Sequence, residues 1–338
     1  MPKIALNGFG RIGRNVLKIG WDKPGFDIVA INDLTDTKTL AHLLKHDTVY
    51  RAFAKSVSYD EKYLIIDGKK ILVCAEKDPK ALPWGALGVD IVLECTGRFT
   101  NLEGASQHLA AGAKRVVISA PAKGAGVPTH VIGINEKTAG RDAAVINNAS
   151  CTTNCIAPVA AIMQEAFGIK KAMMTTVHSY TASQALQDAP AKDLREARAA
   201  AENIVPTTTG AAIATTQVIP ELQGVFDGLS IRVPTPVVSL SDFTLLLKRR
   251  VTVEEVNAVF QKASKTARWK GILEVTHEPL VSSDFIGSSA SAIVDLGLTR
   301  VVDGDMVKVV AWYDNEWGYS NRLVEMALIV AKQIRKRN

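Results

Sequence analysis

The chain has 338 residues, 47% of them hydrophobic and 22% charged, with a formal net charge of +6. That balance excludes a disordered chain, and the length accommodates about two domains of ~100–200 residues each. No run approaches the ~20 apolar residues of a membrane span and MPKIALNGFGRIGR lacks a signal-peptide pattern, so a soluble, cytoplasmic protein with no membrane partner is expected.

KIALN (3–7) reads as a strand, GFGRIG as a glycine turn and NVLKIGW as a helix; after Pro24-Gly25 come a strand, DIVAIND, and a helical stretch, TDTKTLAHLLKHD. VDIVLEC (89–95), KRVVIS (114–119) and THVIGI (129–134) read as buried strands, with a helix in LEGASQHLAAG between the first two. This alternation predicts an α/β fold built on a Rossmann-type, doubly wound parallel sheet. From Cys151 the pattern changes to a helix, CIAPVAAIMQEAF, a strand, KAMMTTVHSY, and a long polar segment at 181–209. The strands LSIRVP, VVSLSDFTLLLKR and MVKVVAWY then alternate as antiparallel strands do, and SNRLVEMALIVAKQIRKR closes the chain as an amphipathic helix. The expected organisation is a first domain over 1–150, an α+β domain over 151–315 with a largely antiparallel sheet, and a helix over about 316–338 returning to the first domain. The dense basic run KQIRKR (332–337) suits a solvated helix end. With the other cations dispersed, the excess charge fits small anionic ligands better than nucleic acid.

Gly8, Gly10 and Gly13 follow a strand and open a helix, the context in which G-x-G-x-x-G binds a dinucleotide. Gly8 permits the tight turn, Gly10 lets backbone approach a pyrophosphate, and Gly13 lets the helix pack on the strand, with free helix-start N–H groups facing the phosphates. Asp33 stands 20 residues after Gly13, where a carboxylate would hold the adenine ribose and repel a 2′-phosphate, so NAD is expected over NADP. Asn7 ends the first strand, Arg11 and Ile12 would cover the pyrophosphate and the adenine edge, and Thr96 and Ser119 end later strands at the carboxyl edge.

The four cysteines, Cys74, Cys95, Cys151 and Cys155, form neither a disulfide framework nor a zinc set, and no metal is expected. Within NASCTTNC, Ser150 is a good N-cap, so Cys151 would sit at a helix N-terminus that favours a thiolate. His178, at the end of KAMMTTVHSY, is the candidate base, because a strand's carboxyl end and a helix's amino end commonly meet at a site. Cys155, one turn further in, reads as buried and inert.

In their order and spacing, NGFGRIGR, ECTGRFT, NASCTTNC, TTVHSYT, RVPTPVVS and WYDNEWGYSNR resemble the phosphorylating glyceraldehyde-3-phosphate dehydrogenases over essentially the whole chain. The resemblance implies Cys151 as nucleophile and His178 as general base. The thiolate would form a thiohemiacetal with the substrate aldehyde, hydride would leave for NAD, and inorganic phosphate would resolve the resulting thioester to 1,3-bisphosphoglycerate, a glycolytic step. It further implies Thr181 and Arg232 at the substrate phosphate, and Ser150, Thr152, Thr209 and Gly210 at the inorganic phosphate. Arg195 is an electrostatic contributor or a helix-surface charge; TTTG at 207–210 is, as bare sequence, a turn before a helix. Asn315 matches the residue that holds the nicotinamide carboxamide; Tyr319 reads there too, or as a core aromatic. The segment 181–205 resembles a loop lining the neighbouring subunit's cofactor pocket, which implies a homotetramer, and Pro190 and Leu34 resemble the NAD-using members. Ile213 replaces a usual lysine and Ser183 a frequent aspartate. The competing expectations are an erythrose-4-phosphate dehydrogenase-like enzyme that hydrolyses its thioester, and a secondary nucleic-acid-binding role, which the sequence does not support with single-strand-binding aromatic motifs.

Overall fold

The computed structural model describes residues 1–337, and the chain divides into two compact units. The first comprises Met1–His130, Asn135–Ala149 and the residues from Ser320 on; the second comprises Val131–Ile134 and Ser150–Tyr319.

In the first unit the chain runs β1 (Lys3–Asn7), α1 (Arg11–Gly20), β2 (Asp27–Asn32), α2 (Thr37–Lys45), β3 (Val57–Tyr59), β4 (Tyr63–Ile66), β5 (Lys69–Cys74), α3 (Trp84–Leu87), β6 (Ile91–Glu94), α4 (Leu102–Ala110), β7 (Arg115–Ile118) and β8 (Val145–Asn147). The sheet order is β3-β4-β5-β2-β1-β6-β7-β8. Strands β5 to β8 pair in parallel, while β3, β4 and β5 form an antiparallel edge. Ile4, Leu6, Ile91, Leu93, Val116 and Val117 are fully buried, as continuous apolar runs in a sheet covered on both faces must be. The chain leaves β1 toward β2 on one side and later returns to β6 on the other, so the order reverses at β1, where a doubly wound sheet opens a crevice.

The expected strand at 129–134 does not form; only Thr129 bridges to Asn147. The Asn147 amide bonds the carbonyls of Val127 and Pro128 and the Thr129 hydroxyl, and Ile134 N–H turns back to Val131 O. Side-chain hydrogen bonds here take the place of a ladder.

The second unit contains α5 (Cys151–Phe167), β9 (Ile169–Ser179), β10 (Val205–Thr207), α6 (Ala211–Val218), β11 (Phe226–Val233), β12 (Ser239–Leu247), α7 (Val253–Ser264), β13 (Leu273–Thr276), β14 (Ala292–Asp295), β15 (Arg300–Val302) and β16 (Met306–Tyr313). Its sheet runs β10-β11-β9-β12-β16-β14-β13, with β15 on β16. The sheet is mixed, more so than its alternating pattern suggests. Strands β9 and β11 pair in parallel, as do β13 and β14, because the chain crosses over through α6 before β11 and must re-enter in the same direction as β9. The long α5 packs against β9, β12, β14 and β16 and is buried almost throughout. A final helix, α8 (Trp317–Arg337), joins the first unit's residues from Ser320 on. Asn338, and the side chains of Lys336 and Arg337 in the basic run, lie outside the described residues.

Candidate active site

Two constellations carry chemistry, one in each unit. In the first, Gly8 turns the chain at φ +94°, and a Cβ there would lie 2.8 Å from the backbone of Cys95 and Thr96. A Cβ on Gly13 would stand 2.2 Å from Gly8 O, so α1 can approach β1 only at glycine. Gly10 faces open space, with no atom within 4 Å of an added Cβ. It caps α1 without a side chain, and no acid occupies the helix's first turn, an arrangement that leaves N–H groups for an anion. A cavity of about 300 Å³ opens beside the turn, lined among others by Asn7, Gly8, Gly10, Asp33, Thr96 and Arg98. These residues fit a dinucleotide.

Asp33 follows β2 and braces the turn, accepting from Phe9 N–H at 2.8 Å and Thr35 N–H at 3.0 Å. Thr96 is held by Glu94, whose Oε1 accepts its N–H at 2.8 Å and also its hydroxyl. Ser119, at the end of β7, donates its N–H to Glu94 O. Ile12 is half-buried in the first turn of α1. The Arg11 guanidinium is turned to Asp47 Oδ2 at 2.8 Å and lies over the Tyr50 ring, so its own contribution at the turn is the helix-start N–H. Arg11 and Lys18 help hold the Asp47 carboxyl down at about 2 against its burial.

A buried network that the sequence reading missed underlies this turn. Trp84 Nε1–H donates to His108 Nδ1 at 3.1 Å, and His108 Nε2 pairs with Glu94 Oε2 at 3.0 Å. The Asn7 amide donates to the same Glu94 oxygen at 2.5 Å and accepts from Asn32 at 2.7 Å. The available signal was a Glu, a His and an Asn inside otherwise apolar elements, where a polar group needs a partner.

In the second unit Ser150 caps α5, its hydroxyl accepting from Thr153 N–H at 3.0 Å, and Cys151 is the first helical residue. Cys151 Sγ lies 3.5 Å from His178 Nε2. Parallel pairing sets Arg232 of β11 opposite His178 of β9, and Arg232 Nη1 reaches His178 Nδ1 at 2.6 Å. Ser179 O also lies 2.7 Å from Nδ1. Thr152 bonds Tyr313 at 2.8 Å, and the Tyr313 ring meets His178 edge-on at 6.1 Å between centroids.

Burial pushes the Cys151 thiol up, with the Arg232 charge the largest counterweight. Burial, followed by Arg232, holds His178 down at about 3. The helix N-terminus was expected to favour a thiolate with a base or cation nearby to complete the case; His178 and Arg232 stand at that place, against the desolvation of the sulfur. Cys155 is fully buried and its thiol is pushed well above the ordinary range, and all four cysteines are free. Among the described residues there is no group of three or more acidic, His or Cys side chains placed to hold a metal ion.

Thr181 bonds the Ser183 hydroxyl at 2.9 Å, so a neutral pair occupies the position of the departure noted above. Thr209 and Gly210 open α6, with Thr209 Oγ1 accepting from Ala211 N–H at 3.2 Å, and Ile213 on that helix is exposed. Arg195 is exposed, with its backbone on Asp193. Among the described residues Thr181, Arg195, Thr209 and Gly210 make no hydrogen bond with Cys151, His178 or Arg232. Asn315 is buried, its Oδ1 accepting from Ser239 at 3.0 Å, and Tyr319 is buried in the first turn of α8.

Ser239 also went unread in the sequence. It receives the N–H of Ser179, whose hydroxyl in turn bonds Val238 O at 2.8 Å. Val238 is held at φ +69°, a region costly for a β-branched residue, of order 1–3 kcal/mol. That segment fixes the strand end on which His178 is mounted.

The first unit's residues 2–102 match the family described as glyceraldehyde 3-phosphate dehydrogenase, NAD binding domain, and residues 150–315 match its C-terminal domain. The chain is 54% identical to a glyceraldehyde-3-phosphate dehydrogenase of Geobacillus stearothermophilus over 98% of both sequences. It is 52% identical to one of Streptomyces coelicolor over 98% of this chain and 99% of that relative. A chloroplastic glyceraldehyde-3-phosphate dehydrogenase B of Pisum sativum is 51% identical over 98% of this chain and 74% of its own length.

Proposed function

Because the chain belongs to the glyceraldehyde-3-phosphate dehydrogenase family, a group of NAD-dependent enzymes, we propose that Cys151, His178 and Arg232 form its reacting cluster. The enzyme oxidises D-glyceraldehyde 3-phosphate with NAD and inorganic phosphate in glycolysis. The observation that carries the residue assignment is the 3.5 Å approach of Cys151 Sγ to His178 Nε2 at the N-terminus of α5, with Arg232 alongside.

In this reading Cys151 Sγ adds to the aldehyde carbon, and His178 Nε2 takes the proton of the resulting hydroxyl. NAD, when bound, supplies the hydride acceptor. The acyl group stays on sulfur as a thioester, so the energy of oxidation is retained until inorganic phosphate attacks and Cys151 leaves. Protonated His178 and the helix-start N–H groups stabilise the oxyanion of both steps. Arg232 and Thr181 hold the substrate phosphate, and Ser150, Thr152, Thr209 and Gly210 the attacking one; Arg195 adds positive charge. The turn residues Asn7 to Gly13, with Asp33, Thr96 and Ser119, hold NAD, and the Asp33 carboxylate disfavours a 2′-phosphate. Asn315 and Tyr319 serve the nicotinamide end. The two units correspond in this reading to an NAD-binding domain over 1–150 joined by the terminal helix, and a catalytic domain over 151–315.

We also propose a cytoplasmic homotetramer. Leu186, Leu194 and Ile204 are 79%, 82% and 70% exposed within one segment, and Met173 and Leu229 lie exposed on β9 and β11. Exposed apolar side chains grouped in this way suit subunit contacts. No helix among the described residues is long and apolar enough to cross a membrane.

The test is NADH formation from glyceraldehyde 3-phosphate and NAD with and without inorganic phosphate. Sustained turnover only with phosphate supports thioester phosphorolysis; equal turnover without it assigns resolution to water.

A further inference from the structure

The buried network beneath the glycine turn has a fixed direction, and its far ends are walls of the dinucleotide cavity. Trp84 Nε1–H can only donate, so His108 Nδ1, 3.1 Å away, holds a lone pair and the ring proton is on Nε2. Nε2–H donates to Glu94 Oε2 at 3.0 Å, the oxygen that also accepts from Asn7 Nδ2 at 2.5 Å. Glu94 Oε1 accepts the N–H of Thr96 at 2.8 Å and the Thr96 hydroxyl. Four donors thus fill the acceptor capacity of one carboxylate.

Several segments hang from this centre. At the end of β1, Asn7 Oδ1 accepts from Asn32 Nδ2 at 2.7 Å. Asn32, at the end of β2, also donates to Glu76 O at 2.9 Å and accepts Glu76 N–H at 2.9 Å, which ties in the segment after β5. Beyond β6, Thr96 Oγ1 accepts Arg98 N–H at 3.0 Å, and the Phe99 ring meets His108 edge-on at 6.2 Å between centroids. Neither amide can turn over: a flipped Asn7 would face its oxygen to Glu94, and a flipped Asn32 would face its oxygen to Glu76 O. Asn7, Asn32, Glu76, Thr96, Arg98 and Phe99 all line the cavity. Glu94, His108 and Trp84 are buried, one contact further back.

We propose that Glu94 and His108 are positioning residues for the cofactor, holding the ends of β1, β2 and β6 and the Glu76 segment at the spacing that receives NAD without touching it. The inference rests on the reading of this cavity as the NAD site. A buried polar cluster adds little net stability over a well-packed apolar filling, so stability alone does not account for it. What it supplies is direction, because apolar packing could fill the same space but could not bring the Thr96 N–H and the Asn7 amide to one carboxylate. Walls fixed before the ligand arrives also spare binding the cost of ordering them.

The experiment measures, on full-length variants, the Kd of NAD by calorimetry, the KM of glyceraldehyde 3-phosphate at saturating NAD, and unfolding in urea. Glu94→Gln keeps the shape but turns an NH2 group toward two donors, and should weaken NAD binding about tenfold with the KM of the aldehyde unchanged. His108→Leu should weaken NAD in the same way, and His108→Gln, whose amide can still donate to Glu94, should restore it. Trp84→Phe removes a bond of the same network that does not lead to the cavity; it should lose stability and keep its NAD affinity. NAD affinity that merely follows stability across these variants, or wild-type affinity in Glu94→Gln, overturns the proposal. Asp33→Asn tests the site itself. Weakened binding there with no effect at Glu94 overturns the positioning role and leaves the cavity as the NAD site, whereas no effect at either position overturns both. Should Glu94→Gln fold poorly, the two His108 variants decide, and equal NAD affinity in both overturns the proposal.

Discussion

His108 and His178 are both buried histidines paired with a reactive or ionisable partner, yet they are built in opposite ways. At His108 each ring nitrogen has one compatible role: Nδ1 accepts from Trp84, Nε2–H donates to Glu94, and Glu94 is further satisfied by Asn7 and Thr96. Asn7 Nδ2 also stands 3.3 Å from Nε2 but donates to the Glu94 oxygen at 2.5 Å, so one tautomer satisfies every partner, and the His108 and Glu94 side chains are fully buried. At His178 a donor and an acceptor compete for Nδ1 while Nε2 faces a thiol. A fully satisfied network fixes structure, whereas a polar group left between competing partners is the departure expected at a functional site. Chemistry belongs to the second kind of site.

The largest effects should fall on the contested site. Cys151→Ser should lower NADH formation by roughly a thousandfold or more, since a neutral hydroxyl is a far weaker nucleophile, while NAD titration is unchanged. Retained turnover would remove the nucleophile assignment. His178→Asn should cost about 10²–10⁴ in kcat, read under the same assay.

The satisfied site should instead respond in stability. Trp84→Phe leaves His108 Nδ1 without its donor and should lower the unfolding free energy by about 1–3 kcal/mol in urea, with the rate of Cys151 alkylation unchanged. A changed alkylation rate with no loss of stability would erase the contrast between the two histidines.

The pH dependence sharpens it. His178 is held at about 3 in the fold against an ordinary value of 6.5, so between those values the unfolded ring binds a proton that the native ring does not. Stability should therefore fall as pH drops from about 6.5 toward about 3, and the slope should be shallower in His178→Asn. Equal slopes would mean that the ring is not desolvated. The smallest expected effect is from Ser150→Ala, which removes the N-cap of α5 and should cost about 1 kcal/mol in the same unfolding measurement.

Local pattern made much of this legible. The glycine turn, Asp33 and the Ser150 cap each follow from chain-local chemistry, because strand, turn and helix start are contiguous. His178 was readable only as a candidate, since its meeting with Cys151 is made by the packing of α5 on the second sheet. Arg232 could be placed by resemblance, but its contact with Nδ1 depends on β9 and β11 running in parallel, which the alternating pattern of LSIRVP argued against. Ser179, Val238 and Ser239 lie within TTVHSYT and RVPTPVVS, but nothing in those motifs marks their part in holding the strand end. Their roles arise from backbone conformation and from hydrogen bonds across 60 residues of chain. The Glu94–His108 network was hidden for a related reason: each member sits in an apolar or unremarked element, and only the fold assembles them.

The most direct test of the account is to mix the enzyme with NAD and glyceraldehyde 3-phosphate without inorganic phosphate, quench after the first NADH burst, and locate the acyl group by peptide mass spectrometry. The account predicts a phosphoglyceroyl thioester on Cys151, lost when phosphate is added before quenching. An acyl group on Cys155, Cys95 or Cys74, or a burst with no adduct on any cysteine, would contradict it.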